Sequence, residues 1–174
     1  MAWLFGTEKR TERRHEREEQ SRKHEEAARM MADLFIRHNS MATADILAEL
    51  EQMHRFYAVA TWAPSEDGGG YLYQIARDLS HARLTPEETG RLVAMLLWPE
   101  LRAYKDRNAP SCFISAAMQN PSEAYIPTLT EHLAWLEEEI KPLGSTQYRT
   151  DVASEIRLTK GAIQACRLRP LQAR

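Results

Sequence analysis

Two histidine–carboxylate pairs have the spacing that metal chemistry requires. Glu51 precedes His54 by three positions, and Asp78 precedes His81 by three positions. Residues three apart share one face of a helix, so each pair can direct a carboxylate and an imidazole at the same ion. Two such pairs are typical of metal-binding helical bundles, and an enzyme of that kind is one of the functions that we consider.

The metal interpretation is disfavoured because the set of ligands is incomplete. A carboxylate-bridged site also needs inward-facing carboxylates on two further helices, and the apolar stripe between residues 129 and 140 supplies none. Met53 also takes the core-facing position beside His54. We therefore predict that His54 and His81 lie at the surface or are partly exposed. His132, next to Glu131, is a still weaker metal candidate, and we predict no cofactor.

Neither cysteine has the neighbours of a nucleophile. The segment from Gln164 to Arg167 begins like a caspase nucleophile motif, but the glycine that should follow is missing and the spacing is helical. A reactive thiol needs a basic, partly exposed setting. We expect Cys112 and Cys166 to be buried thiols in a reducing compartment, and the sequence gives no positive support for catalysis.

Composition limits the possible classes of function. The chain has 174 residues, 43% of them hydrophobic, which fits one domain with an appendage. A net charge of −2 and a pI near 6.3 remove the general electrostatic reason to expect nucleic acid. The longest apolar run, residues 92–98, covers about two helical turns and is too short to cross a bilayer. The N-terminus has no signal-peptide pattern, so we expect a cytoplasmic location.

Apolar residues recur at helical spacing from residue 27 onward, and strand signals are missing. The stripes lie at residues 27–35, 46–60, 72–79, 92–98, 112–118, 125–140 and 148–166. The sequence therefore predicts an all-α fold, with a charged arm at residues 1–26 and one bundle of five or six helices at residues 27–174. A HEAT-like pairing of these helices is an alternative arrangement, although no residue pattern repeats at a fixed period.

Local signals predict where several helices begin and end. Thr85 precedes a proline and stands three residues before Glu88, the spacing of a capping box. Pro99 should end or kink the helix that follows this cap. Residues 64–70, with three consecutive glycines, predict a surface loop. The stripe at residues 148–166 predicts a helix packed on the bundle, with contact to a second subunit as the alternative.

The arm is the most distinctive segment. Its apolar tip, Trp3, Leu4 and Phe5, is followed by residues 7–26 with scarcely an apolar side chain. A helix that is polar on all sides cannot join a core, so it serves something outside the folded body. We expect the arm helix to continue to about Asn39 and to dock through Met31, Leu34 and Phe35; a disordered solubilising extension is the alternative.

Charge divides the arm into two parts. The first half has more basic than acidic side chains and places arginines four residues apart. An anionic partner would relieve the repulsion between these arginines. The second half is expected to form ion pairs between residues four apart: Glu18 with Arg22, Glu19 with Lys23, and Glu25 with Arg29. The second half is therefore predicted to be the better helix.

An adaptor-like interaction protein is the leading hypothesis, with a protein partner or a second copy bound by the arm. The residues predicted to bind are Trp3, Leu4, Phe5, Arg10, Arg13, Arg14 and Arg17. Aromatic and arginine side chains supply much of the binding energy at interfaces. The alternative is weak attachment to an anionic membrane through the same residues, against which the interleaved glutamates argue. Those glutamates also disfavour nucleic acid.

Overall fold

The computed structural model describes the backbone of residues 4–57, 66–103 and 107–168, and the side chains of residues 13–19, 21–23, 25–55, 70–102 and 107–168. Over these residues the chain is helical without strands, which confirms the predicted all-α class. None of the described helices carries an apolar stretch of the length that a bilayer crossing requires.

Eight α-helices follow one another along the described residues. They are α1 (Leu4–Arg37), α2 (Thr43–Tyr57), α3 (Glu66–His81), α4 (Pro86–Met95), α5 (Pro99–Ala103), α6 (Asn108–Gln119), α7 (Ile126–Glu139) and α8 (Gln147–Leu168). Short 3-10 turns lie at His38–Ser40 and Glu123–Tyr125. The expected bundle of five or six helices is not confirmed, because Pro99 begins a separate five-residue helix. The HEAT-like pairing stays a prediction.

Helix α6 lies in the centre of the packing, in contact with α3, α4 and α8. Its buried alanines, at positions 109, 116 and 117, let neighbouring backbones approach, while Phe113 and Ile114 fill the space between them. Helix α4 contacts α2, α6 and α7, as its apolar sequence predicts, and Leu92, Val93 and Leu96 are at most 1% exposed.

The capping box at the start of α4 is confirmed. The Glu88 backbone amide donates to Thr85 Oγ1 at 3.2 Å, and the Thr85 backbone amide donates to Glu88 Oε2 at 2.8 Å. The loop predicted at residues 64–70 is wrong from residue 66 onward, because α3 begins at Glu66 and includes the three glycines. Glu66 and Asp67 favour a helix N-terminus electrostatically, and glycine weakens a helix without forbidding it.

The last helix packs on the body as predicted, against α6 and α7, with Val152, Thr159 and Cys166 fully buried on its inner face. Pro127 lies in the first turn of α7, where a proline leaves the helical hydrogen bonds intact. The apolar stripe at residues 46–60 also predicts a second helix that ends near Trp62, and this position lies outside the described residues.

Candidate partner-binding helix and buried charged clusters

Helix α1 changes along one continuous axis from a segment with exposed side chains to a segment that buries one face in the body. Between Arg13 and Glu26, every side chain that the structure describes is exposed. Ala27 and Ala28 are half-buried, and one turn later Met31 and Leu34 are 5% and 0% exposed. At about 1.5 Å per residue, residues 4–26 form a helical rod of about 35 Å. The arm is thus joined without a break to a helix end that lies in the core.

Two contacts fix the buried end of α1 to its neighbours. Arg37 donates to both carboxylate oxygens of Glu49 in α2, at 3.0 and 2.8 Å. His38 is 5% exposed and bonds through Nδ1 to the Phe35 carbonyl at 2.6 Å and through Nε2 to the Asp78 carboxylate of α3 at 3.0 Å. The hydrogen bond from His38 is the largest cause that holds the pKa of Asp78 below its ordinary value.

The ion pairs of the arm differ in part from those predicted. Glu19 and Lys23 pair at 3.0 Å, as expected. Glu18 bonds to Arg14 at 2.8 Å instead of to Arg22, and this pair lowers the pKa of Glu18 and raises the pKa of Arg14. The prediction for Glu18 was wrong because its carboxylate has a cation four residues away on either side and faces Arg14.

Arg29 also departs from the expected pattern, since its Nε atom donates to the backbone carbonyl of Glu25 at 3.4 Å. The contact between these two residues is with the backbone of Glu25, and no contact with the Glu25 carboxylate is found. The predicted Glu25–Arg29 ion pair is therefore wrong.

Three of the predicted binding residues, Arg13, Arg14 and Arg17, have exposed side chains on the arm. The backbone of Leu4, Phe5 and Arg10 belongs to α1, and their side chains lie outside the described set. Trp3 lies outside the described residues.

The four residues considered for a metal site take different partners. Glu51 accepts two hydrogen bonds from Arg91 of α4, at 2.7 and 2.9 Å, and this pairing lowers the pKa of the Glu51 carboxyl. Asp78 faces His38, and His81 Nδ1 bonds to the carbonyl of Arg77 at 2.7 Å.

His54, the fourth of these residues, bonds through Nδ1 to Glu100. Within the described residues no three histidines, cysteines or acidic residues are grouped closely enough to hold a metal ion. The structure therefore does not bring the two predicted pairs together.

The contact of His54 with Glu100 belongs to a small cluster between α2 and α5. The imidazole stacks on Trp98 with ring centroids 4.1 Å apart and planes 3° apart. The Glu100 side chain is 3% exposed, and its Oε2 atom has no hydrogen-bond partner among the described residues. Glu100 lines a cavity of about 10 Å³ with Leu72, Phe113 and other core residues, the space that one water molecule needs. The cavity is too small for an organic substrate.

The most deeply buried charges form the α7–α8 cluster, which we define as Arg107, His132 and Glu155. Arg107 donates through Nε to Glu155 Oε2 at 2.6 Å and through Nη2 to Glu155 Oε1 at 2.8 Å. His132 Nε2 lies 2.8 Å from Glu155 Oε1. All three side chains are at most 2% exposed. One carboxylate therefore joins the start of α6 to α7 and α8.

Further contacts hold this cluster in place. Arg107 donates through Nη1 to the Leu101 carbonyl at 3.0 Å and lies over the Trp135 ring at 5.1 Å. His132 stacks on the same ring at 5.7 Å. Burial raises the pKa of Glu155, but the hydrogen bonds from His132 and Arg107 and their charges outweigh it, so the pKa is lowered. Each partner of Glu155 belongs to another element, and the cluster binds elements to one another.

The burial of His132 was not predicted from the sequence. Its position carried the missed signal, because it follows Leu129 by three residues and precedes Leu136 by four, which places it on the buried face. Glu155 has the same relation to Val152 and Thr159. A histidine and a glutamate on the buried faces of adjacent helices are candidates for a mutual contact.

Comparison with known protein families, with curated proteins and with solved structures gives no match. The function is therefore inferred from the residues of this chain.

Proposed function

We propose that this chain is a non-enzymatic, adaptor-like interaction protein, which binds a protein partner or a second copy of itself through its N-terminal arm. The observation that carries the proposal is the continuity of α1, in which a helical rod of about 35 Å, exposed at every described side chain up to Glu26, passes directly into buried Met31 and Leu34. A helix anchored in this way presents its outer residues at a fixed distance from the body.

The chemistry of the arm suits protein recognition. Arg13, Arg14 and Arg17 are exposed, and guanidinium groups bind carboxylates in a planar, two-pronged geometry. The apolar tip adds Trp3 and Phe5, residue types that dominate interface energetics when a partner buries them. The arm thus combines a charged side that steers association with an apolar end that holds the complex.

The buried clusters support a structural use of the ionisable residues in the body. Arg107, His132 and Glu155 are sealed from solvent and bind one another, and Glu51 and Asp78 connect helices through Arg91 and His38. Each of these groups therefore contacts a residue of another structural element. The proposal includes a cytoplasmic location, which the two reduced cysteine thiols, of Cys112 and Cys166, support.

The proposal is tested by affinity capture from cell extract, read by mass spectrometry. The full chain is compared with a chain lacking residues 1–26, with a chain lacking residues 1–6, and with the triple variant Arg13→Ala/Arg14→Ala/Arg17→Ala. The matched control removes three exposed arginines from the body, by Arg83→Ala/Arg157→Ala/Arg167→Ala. We expect specific partners to be lost with either truncation and weakened by the arm triple variant, while the control retains them. Identical partners for the full chain and for both truncated chains would overturn the proposal.

A further inference from the structure

The charges of the arm are unevenly distributed along its length. Residues 8–17 hold five basic and three acidic side chains, a net charge of +2: Lys9, Arg10, Arg13, Arg14 and Arg17 against Glu8, Glu12 and Glu16. Residues 18–26 hold four acidic and two basic side chains, a net charge of −2: Glu18, Glu19, Glu25 and Glu26 against Arg22 and Lys23. Each arm thus has a basic outer half and an acidic inner half of nearly equal length.

We propose that the arms of two copies of this chain associate side by side in antiparallel orientation. In that orientation the basic half of each arm faces the acidic half of the other, so both halves are attracted. In a parallel pair, basic would face basic and acidic would face acidic, which repels. The proposal rests on the proposed interaction function and names a second copy as the partner.

The pairing register follows from the position where the charge changes sign. When the basic half of each arm lies beside the acidic half of the other, the twofold axis that relates the two copies passes near Glu16 and Arg17. Position 8 of one copy then lies opposite position 25 of the other. The two bodies lie at opposite ends of the paired arms, because each begins beyond residue 26, and so they do not compete for space.

The ion pairs within one arm are exposed, so the same side chains can form pairs with a second arm instead. The side chains of Arg14 and Glu18 are 80% and 56% exposed, and those of Lys23 and Glu19 are 46% and 58% exposed. Pairs this exposed are held weakly and are readily replaced by pairs between chains. The described side chains of Arg13, Glu16 and Arg17 are exposed beside them.

The same register gives the apolar tip a place on the second copy. It aligns residues 4 and 5 of one chain with residues 29 and 28 of the other, where α1 changes from charged to apolar. Ala28 is half-buried there, so a small apolar surface remains accessible. Charge then fixes the orientation, and contact of the tip with this surface adds the burial that exposed ion pairs lack.

Cysteine cross-linking of the full chain distinguishes the orientations. Single cysteines are placed in a Cys112→Ser background, in which the remaining Cys166 is fully buried. We expect Arg17→Cys to form a disulfide dimer with itself, because position 17 lies near the twofold axis. His24→Cys alone should not form this dimer, but a mixture of His24→Cys with Arg10→Cys should, because positions 10 and 24 lie seven residues on either side of position 17 and share its helix face. Arg157→Cys on the body is the matched control and should form no disulfide dimer.

Charge-swapped chains test the cause of the association by sedimentation velocity. Each of two triple variants gives both halves of the arm the same sign of net charge. They are Arg13→Glu/Arg14→Glu/Arg17→Glu, which makes both halves negative, and Glu18→Lys/Glu19→Lys/Glu25→Lys, which makes both halves positive. We expect each alone to self-associate at least about tenfold more weakly than the wild type, and an equimolar mixture to recover the association at low salt and lose it at about 0.5 M salt.

Three outcomes would overturn the antiparallel pairing: a monomeric wild-type chain at every concentration, self-linking at position 24, or unchanged association of the charge-swapped variants. None of these outcomes decides whether the arm binds a different protein, because the truncation experiment under Proposed function measures that separately. The failure of one proposal can therefore be distinguished from the failure of the other.

Discussion

Arg107 and Glu155 lie 48 positions apart in the chain and form a two-pronged ion pair in which the side chains are 2% and 0% exposed. The pair connects the first turn of α6 with the middle of α8, and His132 brings α7 to the same carboxylate. Charges removed from water in this way are tolerated only while each keeps its partner.

Removal of one partner should therefore be strongly destabilising. We expect Glu155→Gln to lower the free energy of unfolding by about 3 kcal/mol or more, because the Arg107 cation is left buried without its anion. Urea unfolding near neutral pH measures the change. The control is Glu131→Gln, since the Glu131 side chain is 63% exposed and lies 3.4 Å from Arg102; it should change stability by less than about 0.5 kcal/mol. Equal effects of the two substitutions would contradict this role for the cluster.

Acid should remove the same stabilisation. The pKa of Glu155 is held below its ordinary value of 4.5 in the folded protein. A carboxyl whose pKa is depressed by folding contributes its full stability above its unfolded pKa and loses it as the pH falls through the folded value. The gap in unfolding free energy between wild type and Glu155→Gln should thus be constant above about pH 5 and narrow below about pH 4.5. A gap that stays constant to about pH 2 would be inconsistent with the lowered pKa.

The anchor of α1 can be tested with two apolar residues from the same turn. Leu34 is 0% exposed, whereas Ile36 is 75% exposed. We expect Leu34→Ala to cost about 2–5 kcal/mol through lost burial and a cavity, and Ile36→Ala to cost less than about 0.5 kcal/mol. Thermal or urea unfolding followed by circular dichroism measures both. Similar costs would show that α1 is not anchored through Leu34.

The two thiols should differ in reactivity toward a thiol reagent. Cys166 is fully buried, and burial raises its pKa, whereas Cys112 is only half-buried. Because the thiolate is the reactive form, we expect one thiol of the native protein to react fast and one slowly, with Cys112→Ser abolishing the fast phase. Cys166→Ser should leave the fast phase unchanged. Fast reaction in the Cys112→Ser variant would show that Cys166 is accessible.

Features that depend on neighbouring residues could be predicted from the sequence. The capping box needs only Thr85 and Glu88, three positions apart, and the structure contains both of its hydrogen bonds. The apolar stripes likewise predicted the buried faces of α4 and α8, because helical periodicity is a local property. The three glycines misled for the same reason, since their low helix propensity is outweighed where α3 packs on α1 and α6.

Features that depend on distant residues could not be predicted. Glu155 meets His132 across 23 positions, and Asp78 meets His38 across 40. Sequence spacing marked Asp78 as a partner of His81 because both share one helix face, but tertiary packing supplied a histidine from another element. The contacts of a buried charge are set by which helices become neighbours, and spacing within one helix does not contain that information.

The continuity of α1 gives one helix two different lifetimes for its backbone hydrogen bonds. Near Leu34 the amide protons exchange with solvent only when the body unfolds, whereas between Arg13 and Glu26 they exchange whenever the solvated end opens locally. A partner that covers the arm slows the second process and leaves the first unchanged. Hydrogen–deuterium exchange along this single helix therefore reports the occupancy of the arm, with the buried turns as an internal reference.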